Sequence, residues 1–107
     1  MGSGYTGSVA MRVIALSRLQ EFWQSHADSE GALRAWYKDA EESQWQSPGD
    51  ITRVYATASI LPDNRVVFNI KGNTYRLIVK INYSYGMAYI RFIGTHAEYD
   101  RIDATTI

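Results

Sequence analysis

At Arg65 the apolar pattern of this chain changes period, and that change constrains the fold more than any other feature. In RVVFNIK, Val66, Phe68 and Ile70 alternate with Val67, Asn69 and Lys71. In TYRLIVKINY, Tyr75, Leu77, Val79 and Ile81 alternate with Arg76, Ile78, Lys80 and Asn82. In MAYIRFIG, Ala88, Ile90 and Phe92 alternate with Tyr89, Arg91 and Ile93. A period of two sends successive side chains to opposite faces of a strand. Each run therefore carries one apolar face and one face with cations or amides. Gly72–Asn73 supplies a hairpin turn and Ser84 to Gly86 the next. The simplest assembly is an antiparallel meander. Gly94 is expected to end the last strand, with THAEYDRIDA crossing the sheet end as a loop or short helix.

Before Arg65 the period is helical. Met11 to Leu16 is short and apolar and reads as a first strand inside the sheet. Ser17 opens a helix with the S-x-x-Q spacing of a capping box. Leu19, Phe22, Trp23 and His26 form its apolar stripe, and His26 reads as a capping or packing residue at the C-terminal end. Asp28 and Ser29 are expected to cap a second helix running to about Ser43, with Leu33, Trp36, Tyr37 and Ala40 inward. After the Pro48–Gly49 punctuation, Asp50 is expected to cap a short helix, ITRVYATA, with Ile51, Val54 and Tyr55 facing inward. ASILPDN then leads into a turn. The expected fold is α+β: strand, two helices, short helix and three-stranded meander, with the helices on one face of a small antiparallel sheet.

Composition limits the function. The opening GSGYTGS reads as a tag or cloning scar, so residues 1–10 are set aside and residues 11–107 are read as a single domain. No apolar run approaches the roughly 18 residues of a membrane-spanning helix, and a cytoplasmic protein with no membrane partner is expected. Cysteine is absent and there are only two histidines, His26 and His96, so no metal site is expected. No phosphate-cradling glycine loop or nucleophile motif is present, and no cofactor is expected. Net charge is zero but unevenly placed. Residues 65–101 hold Arg65, Lys71, Arg76, Lys80, Arg91 and Arg101 against only Glu98 and Asp100. A positive surface confined to one element attracts phosphate even on a neutral molecule.

In an antiparallel meander, Lys71 at the end of one strand, Arg76 at the start of the next and His96 after the last all reach the same end of the sheet. Two cations and an imidazole suit cleavage of a phosphodiester by its own 2′-hydroxyl. That reaction needs a base, positive charge on the phosphorane and an acid at the leaving oxygen. The competing reading makes Lys71 and Arg76 hairpin-rim charges and His96 a loop residue. The residues alone leave both open.

The runs FNIKGNTYRLIVKINY and YIRFIGTHAEYDRIDA resemble the HigB toxins of type II toxin–antitoxin systems. The resemblance implies a RelE-like fold and a ribosome-dependent messenger-RNA endonuclease that blocks translation by metal-independent cleavage. It implies Lys71 as a general base, Arg76 on the scissile phosphate, His96 as a proton-transfer group and Tyr99 as a positioning or stacking residue. Base and acid can be exchanged between Lys71 and His96. Asn69, which stands where some relatives have a second lysine, together with Lys80, Arg91 and Arg65, is expected to contact RNA. The implied partners are a HigA-like helix-turn-helix antitoxin, the ribosome with messenger RNA in its A site, and operator DNA only through the antitoxin. A non-catalytic RNA- or protein-binding module on the same fold is the alternative.

Overall fold

The structure is a computed structural model and describes residues 11–107. The expected tag at residues 1–10 lies outside the described residues. In chain order the elements are β1 (Arg12–Ile14), α1 (Ser17–Ser25), a 3-10 turn (Ala27–Ser29), α2 (Glu30–Glu42) and α3 (Pro48–Thr52). There follow β2 (Ser59–Leu61), β3 (Arg65–Ile70), β4 (Tyr75–Asn82), β5 (Met87–Thr95) and α4 (His96–Tyr99). The α+β class expected from the change of period is the class observed.

The sheet order is β1-β5-β4-β3-β2, with β1 parallel to β5 and every other pair antiparallel. β1 is therefore an edge strand and not an interior one. The chain leaves β1 through α1 and α2, and a crossover of that length permits the parallel pairing. β2 is an addition to the expected meander. It pairs with β3 through Leu61↔Arg65, and Asp63 and Asn64 turn the chain with φ of 61° and 60°. Aspartate and asparagine tolerate this left-handed region, which a tight hairpin requires.

One apolar cluster joins the layers. Leu19, Leu33, Trp36, Ala40, Trp45 and Ile51 meet Val66, Phe68, Leu77, Val79 and Ile90 of the sheet. Phe68 is fully buried, with the rings of Trp36, Trp45 and Tyr55 at centroid distances of 5.4, 6.0 and 5.1 Å. The short third helix ends at Thr52, so its stripe stops there as well. Val54 is 69% exposed, contrary to expectation, while Tyr55 turns inward and donates its hydroxyl to Asp39. Neither expected capping device forms at α1 or α2. Leu16 precedes α1 with no side-chain cap, and Ser29 Oγ donates to the His26 carbonyl instead of capping α2. Asp50 accepts from Gln46 N inside the first turn of α3, whose N-cap is Ser47.

A β-bulge in β5 corrects the expected alternation. Val79 faces Ile90 but Ile78 faces Phe92, which leaves Arg91 unpaired as the extra residue. A bulge shifts every later side chain to the other face. Ile93 consequently packs on the core, and Phe92 joins the second face of the sheet with Ile78. β5 also continues through Gly94 to Thr95. Gly94 pairs with Arg76, and a Cβ there would come within 2.6 Å of the Phe92 ring and 2.9 Å of Glu98 Oε1. The missing side chain admits the ring. It does not end the strand.

Candidate active site

The three segments singled out in the sequence do end together. Ile70 pairs with Tyr75 across the β3–β4 hairpin, and Tyr75 pairs with Thr95 at the end of β5. Thr95 then caps α4 with a complete capping box. Its hydroxyl accepts from Glu98 N at 3.1 Å, and its own N–H donates to Glu98 Oε1 at 2.7 Å. The backbone hydrogen bond from Thr95 holds the Glu98 carboxyl below its ordinary range. Four residues of helix thereby acquire a fixed start, and His96 and Tyr99 project from known positions.

Arg76 and Tyr99 meet. The guanidinium carbon lies 5.7 Å from the Tyr99 ring centroid, and Arg76 also donates to the Asn73 carbonyl at 3.3 Å. A guanidinium over an aromatic face is attracted by the ring quadrupole and keeps its in-plane donors for an anion. Phe92 stands next to Tyr99, with ring centroids 6.5 Å apart. Asn69 is directly opposite Arg76 across the β3–β4 ladder and donates to the Thr57 carbonyl at 3.3 Å. His96 is exposed, and its Nδ1 lies 3.2 Å from Asp100 Oδ2. Placing a proton on Nδ1 satisfies that contact and leaves Nε2 as the open ring nitrogen.

Lys71 takes a different direction. Its backbone φ of 53°, followed by Gly72 at 63°, makes the first half of a four-residue loop rather than a two-residue turn. The side chain reaches the helical side of the sheet, where Nζ donates to Asp28 Oδ2 at 2.8 Å. The Tyr75 hydroxyl donates to the other oxygen of the same carboxylate at 2.6 Å. These two donors, Lys71 first, hold the Asp28 carboxyl below its usual range, and Asp28 in turn pushes the Tyr75 hydroxyl up. His26 completes this corner. Its ring stacks on Phe22 at 4.1 Å and meets Tyr75 edge-on at 5.7 Å. That is the packing role expected of it.

The other cations on the second face divide into two kinds. Arg65 is only 6% exposed and is occupied by Asp63 and Ile107 O. Lys80 donates to Asp63 at 3.0 Å. Arg91 remains on the surface and donates to Ile107 O at 3.3 Å. Sequence reasoning misses Asp28 and Phe92 as neighbours of the site. Asp28 looks like a helix cap because its partner is distant in sequence, and Phe92 looks like core because the bulge is invisible. Among the described residues no group of three or more His, Asp or Glu side chains has the spacing of a metal site.

A family model described as HigB toxin, the RelE-like toxic component of a toxin–antitoxin system, matches residues 29–102. The chain belongs to the HigB toxin family. It is thus a toxin, its partner is an antitoxin, and the α+β sheet just described is a RelE-like one. The matched stretch contains Lys71, Arg76, His96 and Tyr99, together with Arg65, Asn69, Lys80, Arg91 and Phe92. No curated protein matches the chain. No helix of this HigB-family toxin, among the described residues, is long and apolar enough to cross a membrane.

Proposed function

We propose that this toxin is an endoribonuclease that cuts messenger RNA in the ribosomal A site through attack of the RNA 2′-hydroxyl on the adjacent phosphate. The observation that carries the reading is the Arg76 guanidinium above the Tyr99 ring, beside Phe92, at the end of the sheet. A fixed cation serves the phosphate and an aromatic pair serves the neighbouring base. In the reaction the 2′-hydroxyl gives up its proton as its oxygen bonds to phosphorus, the 5′-oxygen leaves and takes up a proton, and a 2′,3′-cyclic phosphate remains. Arg76 stabilises the charge that develops on the phosphorane oxygens. His96 is the proton-transfer group, and Asp100 fixes its ring.

Lys71 is assigned a charge role. Its ammonium is a hydrogen-bond donor to Asp28, so proton abstraction would first require that contact to break. This favours His96 over Lys71 as the group that moves protons. Asn69, Lys80 and Arg91 extend the surface along the second face toward neighbouring phosphates. Few phosphate contacts are available to a short RNA on a neutral molecule, which is why the ribosome is needed to present the substrate. The partner that restrains this activity is a HigA-like helix-turn-helix antitoxin, through which the pair reaches operator DNA, and the site of action is the cytoplasm. The experiment is to incubate purified toxin with programmed ribosomes and with the same RNA free in solution. Cutting within A-site codons, with far slower and salt-sensitive cutting of free RNA, supports the proposal. Intact message on toxin-saturated ribosomes sinks it.

A further inference from the structure

Three guanidinium N–H groups converge on one backbone oxygen at the C-terminal end of the described chain. Arg65 approaches Ile107 O with Nε at 3.0 Å and Nη2 at 2.8 Å, and Arg91 approaches it with Nε at 3.3 Å. The Nε–Nη2 edge is the one with which arginine grips carboxylates and phosphates. Arg65 is buried and held in place by Asp63 at 2.8 Å through its remaining nitrogen, Nη1. Lys80, directly opposite Arg65 on β4, donates to the same Asp63 oxygen at 3.0 Å. The bulge aims Arg91 at this point.

The segment that supplies this oxygen is a self-contained turn. Asp103 Oδ1 accepts from Thr105 N at 2.9 Å and from Thr105 Oγ1 at 2.5 Å, and the Asp103 carbonyl accepts from Thr106 N and Ile107 N. Arg65 also acts on the Asp103 carboxylate, which the Thr105 hydrogen bonds hold below its ordinary range. The turn thus brings one anion and one oxygen to the cations. It lies beyond the residues matched by the family model. Beside it, a groove of about 630 Å³ between α1 and β5 has Arg18, Glu21, Phe22, Arg91, Phe92 and Ile107 in its lining, and Phe92 is the same ring that flanks Tyr99. Phe92 thereby links the groove to the proposed site.

We propose that Arg65 and Arg91, supported by Lys80, form an oxyanion site for a backbone phosphate of bound RNA, and that residues 103–107 are a strap which fills it until RNA displaces them. The inference rests on the endoribonuclease reading for the source of the phosphate. With the strap in place, Asp63 and Asp103 face the three cations. With it removed, Asp63 alone does, and the positive charge of the site rises.

The test compares the full chain with one ending at Ile102, each with and without Arg91→Gln. The probes are inorganic phosphate and a short 2′-O-methyl oligonucleotide, which binds but cannot be cut. Arginine Nε–H resonances report the phosphate, and oligonucleotide affinity is measured across a salt series. The shortened chain should bind the oligonucleotide about tenfold more tightly. Its salt slope should rise by about 0.7 for each phosphate gained on a single strand, and Arg91→Gln should cancel both gains. Phosphate should move the Arg65 and Arg91 signals in the shortened chain at concentrations that leave the full chain unchanged. Equal affinity and slope in the two chains overturn the strap. Phosphate binding at Arg65 and Arg91 without any gain for the oligonucleotide overturns RNA as its source. Because the probe is uncuttable, these outcomes are read independently of whether the protein cleaves message.

Discussion

Lys71 and Asp28 are joined across 43 positions of sequence by a 2.8 Å hydrogen-bonded ion pair, on the side of the sheet away from Arg76. The pair ties the β3–β4 hairpin to the break between α1 and α2, and Tyr75 adds a second donor to the same carboxylate.

The pH dependence of stability follows from that contact. The Asp28 carboxyl is held below its unfolded value, chiefly by Lys71 and then by Tyr75. Its contribution is therefore complete above the unfolded value of about 3.9 and is lost as pH falls through the lower folded value. Tyr75 shifts the other way, so its contribution is complete below about pH 10 and declines above it. Asp28→Asn should flatten the acid limb of a melting-temperature profile measured from pH 6 to pH 2. Superimposable acid limbs for the variant and the parent would show that the pair contributes nothing to folding. Asp63, Glu98 and Asp103 are also shifted downward and supply the slope that remains.

The centre of the core is more sensitive than any surface contact. Phe68→Ala removes a fully buried ring that three aromatic side chains contact, and should lower unfolding free energy by about 3–5 kcal/mol. Leu77→Ala, also fully buried, should lower it by about 2–5 kcal/mol. Val54→Ala should stay within about 0.5 kcal/mol, because that side chain faces water. Urea unfolding of the three variants measures the contrast, and a Val54 effect equal to that of Phe68 would contradict the layer arrangement.

Much of this architecture is legible in the sequence because period two and glycine-marked turns are local signals. The meander, the helical cover and the shared end of Lys71, Arg76 and His96 all follow from them. What is hidden depends on register. The bulge at Arg91 arises from how β5 fits β4, and no pattern within MAYIRFIG reveals that Phe92 and Ile93 exchange faces. The direction of Lys71 is set by a positive φ at a residue type that seldom adopts one, so alternation points it toward Arg76 when it turns to Asp28. Three-residue β2 is too short for periodicity to register. The Thr95–Glu98 capping box, by contrast, is written plainly as T-x-x-E and marks the start of α4.

That cap ties stability to activity at α4. Thr95→Ala should lower stability by about 0.5–2 kcal/mol, the usual effect of losing an N-cap. Cleavage should fall further than this predicts, because the same turn positions His96 and Tyr99. Thr95→Ser keeps the hydroxyl and should retain parental behaviour. Measuring unfolding and cleavage for both variants separates the roles; equal activity in Thr95→Ala and the parent would mean that α4 does not organise the site.

Gly94 offers an independent probe of the same surface. Gly94→Ala forces the Phe92 ring and the Glu98 carboxylate to move, which should destabilise the fold by about 1–3 kcal/mol and weaken RNA binding beside Tyr99. Thermal unfolding and oligonucleotide affinity check the two effects. A variant that matches the parent in both would show that neither group needs its present position.

The central claim is that Arg76 acts on the scissile phosphate with His96 as the proton-transfer group. Its most direct test is the single-turnover rate of message cleavage on saturated ribosomes for Arg76→Ala and His96→Ala, with thermal unfolding recorded for the same preparations. Both side chains lie off the apolar core, so folding should be preserved while each rate falls by about two to four decades. Variants that fold and cut at the parental rate would place the chemistry elsewhere on the molecule.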